Sequence, residues 1–158
     1  MKRYISALIV ITMTGFIFSA GAQTQKIRAA AADTSVPQQP LYTDYKGVTL
    51  GMTAVDVRAK LGTPVLKDDE LDYFVFSDIL SAQVAYDSSH KAKVISVDYA
   101  GGVGAPDYRA VVGPEIITRT DGSIYGMVRY ESRGFWVSYN RTAGPIVIVS
   151  ITIQKIGP

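Results

Sequence analysis

The chain has no cysteine. That excludes disulfides, thiolate metal sites and cysteine nucleophiles. It has one histidine, His90, and one tryptophan, Trp136. A single imidazole with no thiolate argues against a catalytic zinc site. Charge is balanced as well as sparse. The formal net charge is +2; without Lys2 and Arg3, which lie in a segment expected to be removed, 14 basic residues face 14 acidic ones. Nucleic-acid binding needs clustered Lys and Arg, and the chain has no such run. The longest apolar stretch, Ile5 to Phe18, is shorter than the roughly 20 residues a comfortable membrane span needs.

That stretch reads as an address. Met1-Lys-Arg-Tyr is a short basic start, and Ala20-Gly21-Ala22 has the small-x-small pattern of a signal-peptidase site. Residues 1–22 are therefore expected to be a secretory signal peptide, with a retained N-terminal anchor as the alternative. After cleavage the protein would be periplasmic or extracellular, in a bacterium, with no stable membrane anchor. Residues 23–40 are rich in Ala, Gln, Ser, Thr and Pro without periodicity, and a flexible linker is expected there.

What the chain does have is a repeat. Ala54-Val-Asp-Val-Arg-Ala-Lys-Leu-Gly62 returns as Ala105-Pro-Asp-Tyr-Arg-Ala-Val-Val-Gly113. The offset is about 51 residues, in the range of duplicated supersecondary units. In the first copy Thr53 and Asp56 form a capping-box pair, Val57 and Leu61 share a stripe, and Gly62 with Pro64 ends the helix. In the second, Pro106 suits a first helical position.

Strand-like runs follow each copy: Tyr73 to Phe76, Ala82 to Tyr86 and Val94 to Tyr99, then Ile124 to Tyr130, Phe135 to Tyr139 and Ile146 to Ile153. Apolar residues alternate in Ala82, Val84, Tyr86 and in Ile95, Val97, Tyr99, as in a sheet with one buried face. The pattern predicts an α+β fold. Two tandem helix-plus-three-strand repeats, 41–100 and 101–158, would form one antiparallel sheet of about six strands, with short helices packed on one face.

The run Val48-Thr-Leu-Gly-Met-Thr53, with Val57, Leu61-Gly-Thr-Pro64, Tyr73-Phe-Val-Phe76 and Val84-Ala-Tyr-Asp87, resembles the BamE/SmpA/OmlA domain of bacterial outer-membrane assembly lipoproteins. The likeness covers residues 46–99, with 104–153 as a degenerate second copy. Two such units in tandem are similar to the β-lactamase inhibitor protein fold. The resemblance implies a non-enzymatic envelope protein that binds other proteins, as an assembly factor or inhibitor. The chain departs from both branches, because it lacks the lipid-anchored cysteine of one and the disulfides of the other. No partner-contacting residue carries over from either.

Candidate chemistry is thin. His90 lies in Asp87-Ser-Ser-His-Lys91, where a hydrolase reading would use it with a serine, but neighbouring turn residues rarely converge as a triad does. Asp68, Asp69, Glu70 and Asp72 could hold a hard cation but lack EF-hand spacing, and a solvated acidic turn is the plainer reading. Gly101-Gly-Val-Gly104 follows no strand in the manner of a phosphate loop. No cofactor and no enzymatic activity are expected.

The aromatic residues carry the stronger signal. With Val84, Tyr86, Val137 and Tyr139 toward the helices, alternation sends Trp136 to the other face, and Phe74, Phe76, Met127 and Arg129 are expected beside it. These are residue types enriched at binding hot spots. The face would take another envelope protein. Its alternatives are a small ligand, the Leu41–Leu50 segment folded across it, or the mate of a homodimer.

Overall fold

The structure, a computed structural model, describes residues 39–157. The expected signal peptide, 1–22, and the linker up to residue 38 lie outside the described residues. Among the described residues no helix is long and apolar enough to cross a membrane.

A small hairpin comes first, β1 (Asp44–Tyr45) against β2 (Val48–Thr49). Its turn needs positive φ at Lys46 (50°) and Gly47 (76°), and the Asp44 carboxylate accepts from the Gly47 amide at 2.9 Å. The first helix, α1 (Ala54–Leu61), begins where Thr53 caps it. The Thr53 hydroxyl accepts from the Asp56 amide at 3.2 Å and donates to the Asp56 carboxylate at 2.7 Å. That satisfies an amide the helix cannot reach. Four strands follow: β3 (Leu66–Lys67), β4 (Leu71–Ser77), β5 (Leu80–Tyr86) and β6 (Ala92–Ala100). The second helix, α2 (Tyr108–Val112), is capped by Asp107, whose carboxylate accepts from the Arg109 amide at 2.8 Å. Pro106 therefore precedes the cap and does not open the helix. The last strands are β7 (Ile117–Thr118), β8 (Ile124–Tyr130), β9 (Phe135–Arg141) and β10 (Ile148–Lys155), with a 3₁₀ turn at Glu131–Arg133 between β8 and β9.

β3 to β10 form a single antiparallel sheet in the order β3-β4-β5-β6-β10-β9-β8-β7. Residues from both 41–100 and 101–158 build it. Along the central β6–β10 pairing, Val97 faces Ile151, Tyr99 faces Val149 and Ile95 faces Ile153. All six are buried, together with Val84, Tyr86, Val137 and Tyr139. Val57 of α1 and Val111 and Val112 of α2 complete the same cluster, as do Tyr45 and Val48 of the hairpin. Each fully buried Val or Ile contributes about 1.5–3 kcal/mol.

This is not the expected α+β arrangement of helix-plus-three-strand repeats. Of the described residues, 46% lie in strand and 13% in helix, and the main sheet has eight strands beside a separate two-stranded one. The helices are 8 and 5 residues long, too short to stand as a layer, since an isolated helix below about 12–15 residues is marginal. The additional strands, β3 and β7, are two residues each. A two-residue strand has no alternation to read, and it exists because its neighbour offers a paired edge.

Two expectations about stability follow. A Cβ at Gly126 would lie 2.7 Å from Val112 Cγ2 and 3.2 Å from Ile116 Cγ2. Gly126→Ala should therefore push α2 off the sheet and cost about 1–3 kcal/mol, read as a lower midpoint in urea unfolding. The tyrosines give a pH dependence. Burial pushes the Tyr45 phenol from 10.0 up to about 12, and Tyr42 and Tyr86 are raised as well, again chiefly by burial. A raised folded-state pKa means the folded chain holds the proton more tightly than the unfolded one. Stability should be intact below pH 10 and decline as pH rises through about 12. Denaturation followed by circular dichroism across this range would show it. Tyr45→Phe should lessen the decline, and because the Tyr45 hydroxyl is buried without a partner among the described residues, it should not destabilise the protein at neutral pH.

Candidate functional site

The two faces of the sheet differ in cover. On one lie α1, α2 and the β1–β2 hairpin. Gly51 and Ala92 tie the hairpin side down through Gly51 N–H to Ala92 O and Ala92 N–H to Met52 O, both 2.8 Å. The Tyr45 ring sits 6.0 Å from that of Phe76, and Lys46 Nζ lies 3.9 Å over the Phe76 ring. The Leu41–Leu50 segment thus packs with the helices and does not cross the opposite face.

That opposite face is read from the strand register. One row across it runs Tyr73, Gln83, Ser96, Thr152, Ser138, Met127. A parallel row runs Val75, Ser81, Asp98, Ser150, Asn140, Tyr125. The middle is polar: Ser96 Oγ and Thr152 Oγ1 are 3.0 Å apart, and the Ser150 hydroxyl donates to the Asp98 carboxylate. Both flanks are apolar, with Tyr73, Val75 and Leu66 on one side and Tyr125, Met127, Trp136 and Ile117 on the other. Leu66, Val75, Ile117 and Met127 are all exposed.

The candidate residues divide between the faces. Met127, Arg129 and Trp136 lie on the open face, Arg129 directly opposite Trp136 across β8 and β9. Arg129 Nε donates to Glu131 Oε1 at 2.8 Å. Phe74 and Phe76 do not join them. Phe74 is 1% exposed in the core, and Phe76 packs against it with the rings parallel and 6.3 Å apart.

Asp72 shares their side of β4 and is wholly buried. Its carboxylate accepts from Arg58 Nε at 2.8 Å and Nη2 at 2.9 Å, and from the Tyr86 hydroxyl at 2.6 Å. A buried carboxylate so paired is tolerable, whereas losing one partner would strand a charge at a cost of about 3–5 kcal/mol. The bond to Asp72 raises the Arg58 pKa, and burial followed by the same bond raises that of Tyr86. This ion pair lets Asp72 share the buried side of β4 with Phe74 and Phe76, which leaves Tyr73 and Val75 outward.

Asp72 is accordingly no part of a solvated acidic turn. Asp68 accepts from the Glu70 and Leu71 amides at 2.8 and 2.6 Å, which shapes the turn. Among the described residues no group of three or more His, Asp or Glu side chains could hold a metal ion. His90 is exposed in a turn at φ 55°, where the Asp87 carboxylate accepts from the Ser89 and Lys91 amides. Those bonds account for the Asp87-Ser-Ser-His-Lys91 pattern as turn chemistry. Tyr73, Tyr125 and the exposed Leu66, Val75 and Ile117 were not singled out from the sequence. Leu66 pairs with Tyr73 and Ile117 with Tyr125 only in the folded sheet, and alternation along β4 does not say which of its sides is buried.

Compared with family models, with curated proteins and with solved structures, the chain matches none.

The division between faces has a direct check. Phe74→Ala should cost about 3–5 kcal/mol, as for a large core side chain. Met127→Ala should stay within about 0.5 kcal/mol, as for a surface site. A cost at Phe74 in chemical denaturation as small as that expected at Met127 would show that β4 is phased the other way.

Proposed function

We propose that the chain is a secreted or periplasmic, non-enzymatic binding module of the bacterial cell envelope, akin to BamE-like domains, which holds a protein partner against the open face of its sheet. One observation carries the reading. Both helices and the hairpin crowd onto a single face, and the other bears exposed Met127 and Val75 with Trp136 and Arg129 side by side. Apolar surface left bare in this way marks interaction sites, and Trp and Arg dominate binding energies where they are buried by a partner. The polar middle of the face suits a recognition surface better than a core seam, since interfaces keep many hydrogen bonds.

The test is photo-crosslinking in the native envelope. A crosslinker replacing Met127 should capture one defined envelope protein. The same group at Val55, exposed on α1, should not. Trp136→Ala should reduce capture about 30-fold, the loss of a hot spot of about 2 kcal/mol, with an unchanged circular dichroism spectrum. Equal capture from Val55, or full capture by folded Trp136→Ala, would rule the proposal out. Capture of a second copy alone would replace the partner by a homodimer mate.

A further inference from the structure

The covered side of the sheet contains a second feature that the open-face reading does not use. At the end where the 87–91 turn, the Glu131–Arg133 corner and the C-terminal end of β10 meet, a cavity of about 480 Å³ opens. That is within the range of small-ligand sites, roughly 300–1,000 Å³. Its apolar lining includes Leu50, Phe135 and Ile153. Its charged lining is Lys91, Arg133 and Lys155, with Asp87 the one acidic residue.

Asp87 is already engaged. One carboxylate oxygen accepts from the Ser89 and Lys91 amides at 2.9 and 3.1 Å. The other lies 4.0 Å from Lys155 Nζ. Lys91 and Arg133 have no ion-pair partner among the described residues. This leaves positive charge without an ion-pair partner among the described residues beside an apolar floor. The walls are tied together, since the Ile156 amide donates to Gly134 O at 2.7 Å and the Gly51 amide to Ala92 O at 2.8 Å. A site assembled in advance loses less entropy on binding.

We infer that this cavity binds a small amphipathic anion, an organic molecule with an apolar body and a single carboxylate. The body would lie on Leu50, Phe135 and Ile153, and the carboxylate would meet Lys91 and Arg133. Arg suits that role through its paired N–H donors.

The probes are decanoate and its uncharged counterpart decanol, titrated into the isotopically labelled protein and followed by amide chemical shifts. Decanoate should give saturable shifts at Leu50, Phe135 and Ile153 with a Kd of roughly 1 mM or below. Decanol should bind more weakly. Arg133→Gln and Lys91→Gln should each weaken decanoate about fivefold, as for one partly screened charge contact, and leave decanol unchanged. Both side chains are exposed, so the fold should survive either change. Equal binding of the two probes, no saturable shift, or shifts confined to Met127 and Trp136 on the open face would each overturn the inference.

Discussion

The structure depends on the pairing of β6 with β10. Among the described residues, β3–β6 and β7–β10 are each a four-stranded antiparallel meander preceded by a helix of at most eight residues. Such a helix cannot cover four strands, and the buried residues of both halves lie in one cluster. Pairing Ile95, Val97 and Tyr99 with Ile153, Ile151 and Val149 joins the two inner faces into one buried cluster. The same register, through strand alternation, brings Ser96 against Thr152 and Asp98 against Ser150 on the reverse side. One seam therefore produces both the core and the polar middle of the open face.

The halves are not physically equivalent despite their shared pattern. Arg58 and Arg109 occupy matching places in the repeated motif. Arg58 reaches the buried Asp72 and fixes α1 to β4 and β5. In the second half Val128 takes the place of Asp72 by register, facing Val137 as Asp72 faces Val84. With no buried carboxylate to meet, Arg109 stays exposed beside Asp107, 4.5 Å over the Tyr108 ring. There the docking rests on close packing at Gly126. Beyond the apolar packing of Val57 in one and Val111 and Val112 in the other, the first helix adds an ion pair to the sheet and the second a close approach at Gly126.

The crowding of covering elements onto one side has consequences for both surfaces. The bare face keeps a polar centre between two apolar flanks, a pattern that resists collapse yet offers anchors. The covered face is filled where the helices and hairpin pack closely, and it opens at the edge of the hairpin, where Lys91, Arg133 and Lys155 stand around Leu50, Phe135 and Ile153. Short covers on a wide sheet leave both.

The amino-acid sequence by itself determined where the long strands run, since alternation in Ala82-Gln-Val-Ala-Tyr86 or Ile95-Ser-Val-Asp-Tyr99 is local. It also determined the helix start at Thr53 and the helix ends at Gly62 and Gly113, which depend on residues within one turn. It did not determine the number of strands, because β3 and β7 form only as edges to β4 and β8. Nor did it determine which side of β4 faces inward. Alternation states that neighbouring residues lie on opposite faces but not which face is buried. Asp72 can turn inward with Phe74 and Phe76 because Arg58 neutralises its carboxylate there and the Tyr86 hydroxyl donates to it, each 14 residues from Asp72 along the chain. That contact exists only in the folded chain, and so the phase of β4, and with it the make-up of the open face, was a decision of the tertiary structure.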